Sequence, residues 1–292
     1  MSARTLLLTA VAMVAFAANS LLCRLALGAE TIDAASFTSI RVIAGAVTLL
    51  LISSAQRRMP TFRETSWRSP LALFAYMICF SFAYLSLGAA NGALILFGAV
   101  QLTMFAVALS TGERFPALAW LGLGVAAAGL VYLVSPGLSA PDPMGAALMA
   151  VAGIAWGIYS LLGRGAPDPL AATTVNFVLC VPLVALVSWL TTPNLSVSLD
   201  GAGYAIASGA LASGCGYVVW YAALRGLTAG RAATVQLSVP VIAALGAVLF
   251  LSEPITSRLA IASIATLGGV ALVLAQRAAP AKPRSAEAAA PP

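Results

Sequence analysis

Residues 10–24 read AVAMVAFAANSLLCR, and residues 150–164 read AVAGIAWGIYSLLGR. Eight of these 15 aligned positions are identical at an offset of 140. The same offset carries Glu113 onto Glu253, Gly129 onto Gly269, and Ala83, Leu87 and Ala89 onto Ala223, Leu227 and Ala229. An Ala- and Leu-rich chain produces chance matches, but one ungapped offset holding at three separate places, an arginine and a glutamate included, indicates a duplication. Only the second apolar run needs a gap to align.

Working outward from these stretches, apolar runs fall at about 5–28, 33–54, 67–88, 91–111, 115–135, 143–163, 168–190, 201–224, 230–252 and 256–276. Each reaches the ~20 residues needed to cross a bilayer as a helix. The expectation is an all-α membrane protein of ten transmembrane helices in two repeats. Residues 1–137 form the first five-helix repeat, 138–277 the second, and 278–292 an Ala- and Pro-rich disordered cytoplasmic tail. Five is odd, so the second repeat enters the membrane from the opposite side. That predicts a 5+5 inverted-topology repeat, an architecture characteristic of secondary transporters and some channels. Pro116 and Pro143 sit at helix starts, where a missing N–H costs little. Pro182 and Pro240 fall inside spans seven and nine and are expected to kink them as hinges.

Composition agrees. The chain is 61% hydrophobic and 8% charged over 292 residues, with mean hydropathy +0.99. A soluble domain carries about a quarter charged residues. There is no His, and Lys282 is the one lysine, which excludes His triads, HExxH zinc sites and a Walker A lysine. The cysteines (Cys23, Cys79, Cys180, Cys215) are scattered through apolar runs with no CxxC. We therefore expect no enzyme activity, metal or cofactor, and no nucleic-acid partner despite the +6 net charge. With the N-terminus inside, 12 of the 15 basic residues fall on the cytoplasmic side. N-in/C-in follows from the positive-inside rule, and the absence of outer domains suggests a bacterial inner membrane. The apolar run of the first helix reaches Leu27, longer than a signal-peptide core, so that helix is expected to be retained.

Ten spans in a 5+5 duplication carry Gly112–Glu113 with Gly129, Ser252–Glu253–Pro254 with Gly269, and Phe37-x-x-x-Arg41 in span two. Together these resemble the drug/metabolite transporter superfamily, EamA type, over residues 5–276. Leu85-Ser86-Leu87-Gly88 and the overall pattern are similar to the amino-acid exporters of the YddG type. The resemblance implies a central cavity lined mainly by spans 1, 3, 4, 6, 8 and 9, with export of small metabolites.

Candidate substrate-binding residues are mid-span polar and aromatic side chains. Span one offers Asn19 and Ser20 after Phe16, and their mates in span six are Tyr159 and Ser160 after Trp156. Tyr76, Phe80 and Tyr84 recur every four residues in span three, and Phe97, Gln101 and Phe105 do so in span four. Tyr217, Trp220 and Tyr221 cluster in span eight, and Gln236 lies one turn before Pro240. Aromatics at helical spacing also fit packing or an interfacial belt, Tyr84 above all. A side-chain amide in hydrocarbon needs partners, so Gln101 and Gln236 fit either a cavity or an interhelical hydrogen bond.

Arg41 is an intramembrane arginine, open to a substrate-carboxylate role or a structural one. Arg24 and Arg164 mirror each other at helix ends, as gating or anchoring residues. Glu113 and Glu253 read as caps for spans five and ten. No carboxylate lies mid-span, which argues against proton coupling and for uniport. An aromatic, nearly uncharged path suits neutral or aromatic amino acids better than sugar phosphates. The expectation is thus an alternating-access exporter of small metabolites, most plausibly amino acids, acting as a monomer in a lipid bilayer. A drug exporter, a channel and a membrane scaffold are the alternatives.

Overall fold

A computed structural model describes residues 2–57, 60, 65–112, 115–163, 166–191, 195–227 and 229–277. Among them the fold is helical: α1 (Ala3–Gly28), α2 (Ala34–Ala55), α3 (Arg68–Ala83), α4 (Ala89–Ser110), α5 (Ala117–Val134), α6 (Pro143–Gly163) and α7 (Pro169–Leu190) come first. Next, α8 (Leu199–Ala207), a π-helical segment (Ser208–Cys215) and α9 (Gly216–Leu224) form one continuous span. The last are α10 (Ala229–Gln236), α11 (Ser238–Leu251) and α12 (Ser257–Arg277). There are no strands among the described residues, only an isolated bridge between Ile32 and Val197.

Among the described residues nine helical stretches are long and apolar enough to cross a membrane, and α3 is a shorter apolar helix of 16 residues. Span three therefore ends earlier than the expected residue 88. After Ala83 the chain tightens into turns: Tyr84 N donates to the carbonyls of Phe80 and Ser81, and Leu87 N to that of Ala83. Helix α7 continues through Pro182 without interruption, whereas span nine breaks at Leu237. Pro240 has no N–H to offer the Gln236 carbonyl, and the break falls between them. The expected tail, 278–292, lies outside the described residues.

Helices α3 and α4 pack on α6, and α9 and α11 pack on α1. Helix α2 pairs with α7, α4 with α11, and α5 with α12. Large apolar side chains such as Leu7, Leu51, Leu121, Val131, Leu249 and Ile264 point outward, as lipid contact requires. The α5–α12 pair relies on small residues: a Cβ on Gly122 would lie 2.6 Å from the Gly269 carbonyl oxygen. Thr266 Oγ1 donates to the Ala126 carbonyl across the same contact.

At the end of the bundle where α1 finishes, the loops are tied together. Asp33 caps α2 by accepting from Ser36 N at 2.9 Å, and its other oxygen accepts from Ser196 N at 2.9 Å. Burial works to raise the Asp33 carboxyl, but the hydrogen bonds from Ser36, Ser196 and Ala35 outweigh it and hold it below its ordinary value of 3.8. A lowered carboxyl adds stability above its unfolded value, lost as pH falls through the folded one. Asp33→Asn should therefore melt lower than the parent protein at neutral pH. The gap should close as pH drops below 3.8. Melting curves of both proteins check this, and a gap that persisted in acid would remove the charge from the explanation.

Candidate functional site

Two cavities lie in series inside the bundle. The outer one, of about 560 Å³, opens where α2 and α6 end and α7 begins. Gln56, Asp168 and Arg225 stand at its mouth; Tyr159, Ser160, Trp220, Tyr221 and Gln236 line its walls. Its inner limit is Trp156 and Tyr217, which also border the second cavity. That inner cavity is small, about 20 Å³, and is bounded by Phe16, Asn19, Ser20, Tyr76, Phe80, Phe97 and Ser213. An aromatic cluster separates the two. Trp156 lies 4.9 Å from Tyr76 and 5.2 Å from Tyr217 between ring centroids, and Phe16 stands edge-on to Trp156, Tyr217 and Trp220.

The inner cavity is polar on one side. Asn19 Nδ2 donates to the Tyr76 hydroxyl at 3.2 Å, and Ser208 Oγ donates to Asn19 Oδ1 at 2.7 Å. Arg41, on α2, reaches the wall from behind and donates to Tyr76 and Ser213. Ser208 and Ser213 come from the π-helical segment. Residues five apart in an α-helix point about 140° apart, while i→i+5 bonding stacks them toward one face. The wider winding thus turns both serines to α1 and α2.

Of the mid-span polar and aromatic residues singled out from the sequence, Tyr84, Gln101 and Phe105 border neither cavity. Tyr84 is fully buried, stands edge-on to Phe80 at 4.8 Å, and its hydroxyl donates to the Ala89 carbonyl. Gln101 is buried, and its Nε2 has no partner among the described residues. Gln236 lines the outer cavity and donates to its own helix, to Ala232 O at 3.3 Å. Phe105, placed with Phe97 and Gln101 by spacing, instead packs on Phe115 and Trp120. Sequence reasoning passed over Ser208 and Ser213, although the Gly- and Ser-rich run Ser208-Gly209-Ala210-Leu211-Ala212-Ser213-Gly214 is an unusual interior for a span.

At the opposite end from the mouth, Arg24 Nε pairs with Glu253 Oε1 at 3.2 Å, and Arg24 Nη1 donates to Tyr84 O at 3.2 Å. Glu253 Oε2 accepts from Ala89 N at 2.8 Å. Glu253 is therefore not the cap of span ten: it caps α4, whose own N-cap, Gly88, has no side chain to do so. Thr256 Oγ1 accepts from Leu259 N and serves α12 instead. Beside this cluster Asp142 accepts from Gly145 N and Ser86 Oγ, bonds that hold its carboxyl below the ordinary range. Arg164 and Glu113 lie outside the described residues, and no group of His, Cys, Asp and Glu suited to a metal occurs among the described ones.

Comparison with known proteins places this architecture. Residues 143–275 match the EamA-like transporter family. The uncharacterized protein PA1977 of Pseudomonas aeruginosa is 52% identical over 276 residues, 94% of this chain and 96% of that one. The uncharacterized transporter YwfM of Bacillus subtilis is 28% identical over 283 residues, 90% of this chain and 91% of its own. A crystal structure of a protein 20% identical covers 90% of this chain and 98% of that chain at TM-score 0.63, a shared fold. With its apolar spans and a cavity opening at one end, the chain belongs to the EamA-like transporters of the drug/metabolite transporter superfamily, as a multi-pass membrane transporter of small molecules.

Proposed function

We propose that the chain is an alternating-access carrier, two inverted five-helix repeats that export neutral or aromatic amino acids across a bacterial inner membrane by uniport. The observation that carries the reading is the pair of cavities: a wide one with its mouth at Gln56, Asp168 and Arg225, an aromatic partition, and an ion pair across the far end. The inverted repeat is supported by packing partners that exchange in register. Helix α3 packs on α6 as span 199–224 packs on α1, α4 packs on α6 as α11 packs on α1, and α2, α4 and α5 each pair with their own counterparts. Gly112 and Ser252, 140 residues apart, both hold positive φ, at 89° and 54°. The family match at 143–275 spans nearly the whole second repeat and no more.

With the N-terminus and C-terminus cytoplasmic, the open mouth faces the cytoplasm, where a solute for export is loaded. The aromatic walls and the buried Arg41 guanidinium suit a zwitterion with an apolar side chain. Pro240, beside the break in span nine, and Pro182 serve as hinges, and one chain holds both halves, so a monomer suffices. The test is uptake into proteoliposomes of purified protein, solute by solute, with and without a pH gradient. Saturable uptake of neutral or aromatic amino acids without a gradient is expected. Dependence on the gradient would overturn uniport, and folded protein that moves none of them would overturn the substrate class.

A further inference from the structure

One charge inside the bundle has no counter-charge. Arg41 is fully buried about 10 Å into α2, and no carboxylate pairs with it among the described residues, where Arg24–Glu253 is the ion pair found. The rings of Phe80 and Tyr76 lie 5.0 and 5.5 Å from its Cζ and compensate the charge only in part. A buried guanidinium without an anion is costly, and its natural partner is a planar carboxylate held by two parallel hydrogen bonds.

The hydrogen-bond count at the same place points to the same partner. Arg41 Nε and Nη2 both donate to Ser213 Oγ at 3.4 Å, and Nη2 also donates to the Tyr76 hydroxyl at 3.2 Å. The Tyr76 hydroxyl accepts a second bond, from Asn19 Nδ2. Each hydroxyl keeps one proton to give, yet neither has an acceptor among the described residues. The Asn19 amide turns its nitrogen to the Tyr76 hydroxyl and its oxygen to Ser208. Arg41 Nη1 is buried with no acceptor among the described residues. Two hydroxyls that line the inner cavity, Tyr76 and Ser213, and the charged Nη1 of Arg41 directly behind them therefore stand together without an acceptor among the described residues. The missing group accepts only, carries about one negative charge and offers two oxygens. A phosphoryl group would call for further cations, and besides Arg41 behind the wall no Lys or Arg is found at the inner cavity among the described residues.

We propose that Arg41, with Tyr76 and Ser213, forms the binding subsite for the carboxylate of the transported solute. The inference rests on the carrier reading and narrows it to solutes with one carboxylate and an apolar or aromatic remainder. In the conformation described, the inner cavity of about 20 Å³ is too small for that solute. Loading then requires Trp156 and Tyr217, shared by both cavities, to move apart, so the aromatic partition and the anion site act in one step.

The test uses the full chain, purified, with binding followed by tryptophan fluorescence and calorimetry. Four probes share one ring: L-phenylalanine, 3-phenylpropionate, phenethylamine and L-phenylalaninamide. The first two carry the carboxylate and are expected to bind about 10- to 100-fold tighter than the last two, the range for a hydrogen-bonded charged group. In Arg41→Gln that difference should vanish, in Arg41→Lys part of it should remain, and Tyr76→Phe should weaken the two carboxylates several-fold. The probe comparison needs no substitution, so it decides the matter even where Arg41→Gln does not fold. Equal affinity for all four probes, or carboxylate binding unchanged in Arg41→Gln, overturns the subsite and leaves the carrier reading standing. No binding of any probe, together with no uptake, overturns the amino-acid reading and the subsite with it.

Discussion

Gly209→Ala is expected to cost most of the folded protein. A Cβ at Gly209 would lie 2.1 Å from the Arg41 carbonyl oxygen, 2.8 Å from its carbon and 2.9 Å from its Cα. All three are backbone atoms of α2, so no side chain can rotate out of the way. One turn further along the same face of α2 the fit is as tight: a Cβ on Gly45 would lie 2.5 Å from Phe177 Cε1 and 3.2 Å from the Gly209 carbonyl oxygen. Overpacking of a well-packed interior costs about 1–3 kcal/mol, and more where backbone is involved. The expected result is a collapse in monodisperse yield and a lowered melting temperature. Gly203→Ala is the control: it lies on α8 in the same span, and a Cβ there meets nothing within 4 Å. Parent-like yield and melting of Gly209→Ala would mean that α2 and the π-helical segment are not in backbone contact.

That contact also marks where sequence reasoning stops. Apolar runs, breaks at Gly, Pro and charge, and the family motifs were legible because they depend on local composition. The π-helical segment was not, since its register depends on where α1 and α2 place their acceptors and donors. Spacing alone also overextended two aromatic ladders. Steps of four residues advance about 40° around a helix each time, so the third member turns about 80° from the first. Tyr76 and Phe80 accordingly line the inner cavity while Tyr84 faces Ala89, and Phe97 lines it while Phe105 turns to α5. Glu253 was read as the cap of the helix that follows it. Its true partners, Arg24 and Ala89 N, are 229 and 164 residues away, and no local rule reaches that far.

Removing either member of the Arg24–Glu253 pair should lower transport by about tenfold while leaving the protein folded. The pair joins the end of α1 to the turn between α11 and α12, and through Ala89 N and Tyr84 O it also holds the start of α4 and the end of α3. Four segments from both halves of the chain thus meet at one ion pair, at the end opposite the open cavity. In an alternating-access cycle this end must open when the other closes, so the pair must break once per turnover. Its side chains are only 26% and 20% exposed, which spares it much of the screening that weakens surface pairs. Charged hydrogen bonds of this kind contribute about 1.5–3 kcal/mol. Losing about 1.4 kcal/mol from one conformer shifts a two-state balance tenfold. Glu253→Gln keeps the shape and the oxygen that accepts from Ala89 N, so its effect reports the charge. Arg24→Ala should shift the same balance in the same direction, and the double variant should be scarcely worse than either single one, because both remove one interaction. Transport rates, read with thiol labelling of single cysteines placed at the two ends, measure this. Labelling should rise at the α1 C-terminal end and fall at the cavity mouth. Additive losses with unchanged labelling would make the pair a fold-holding contact and leave the closing of this end to the aromatic partition alone.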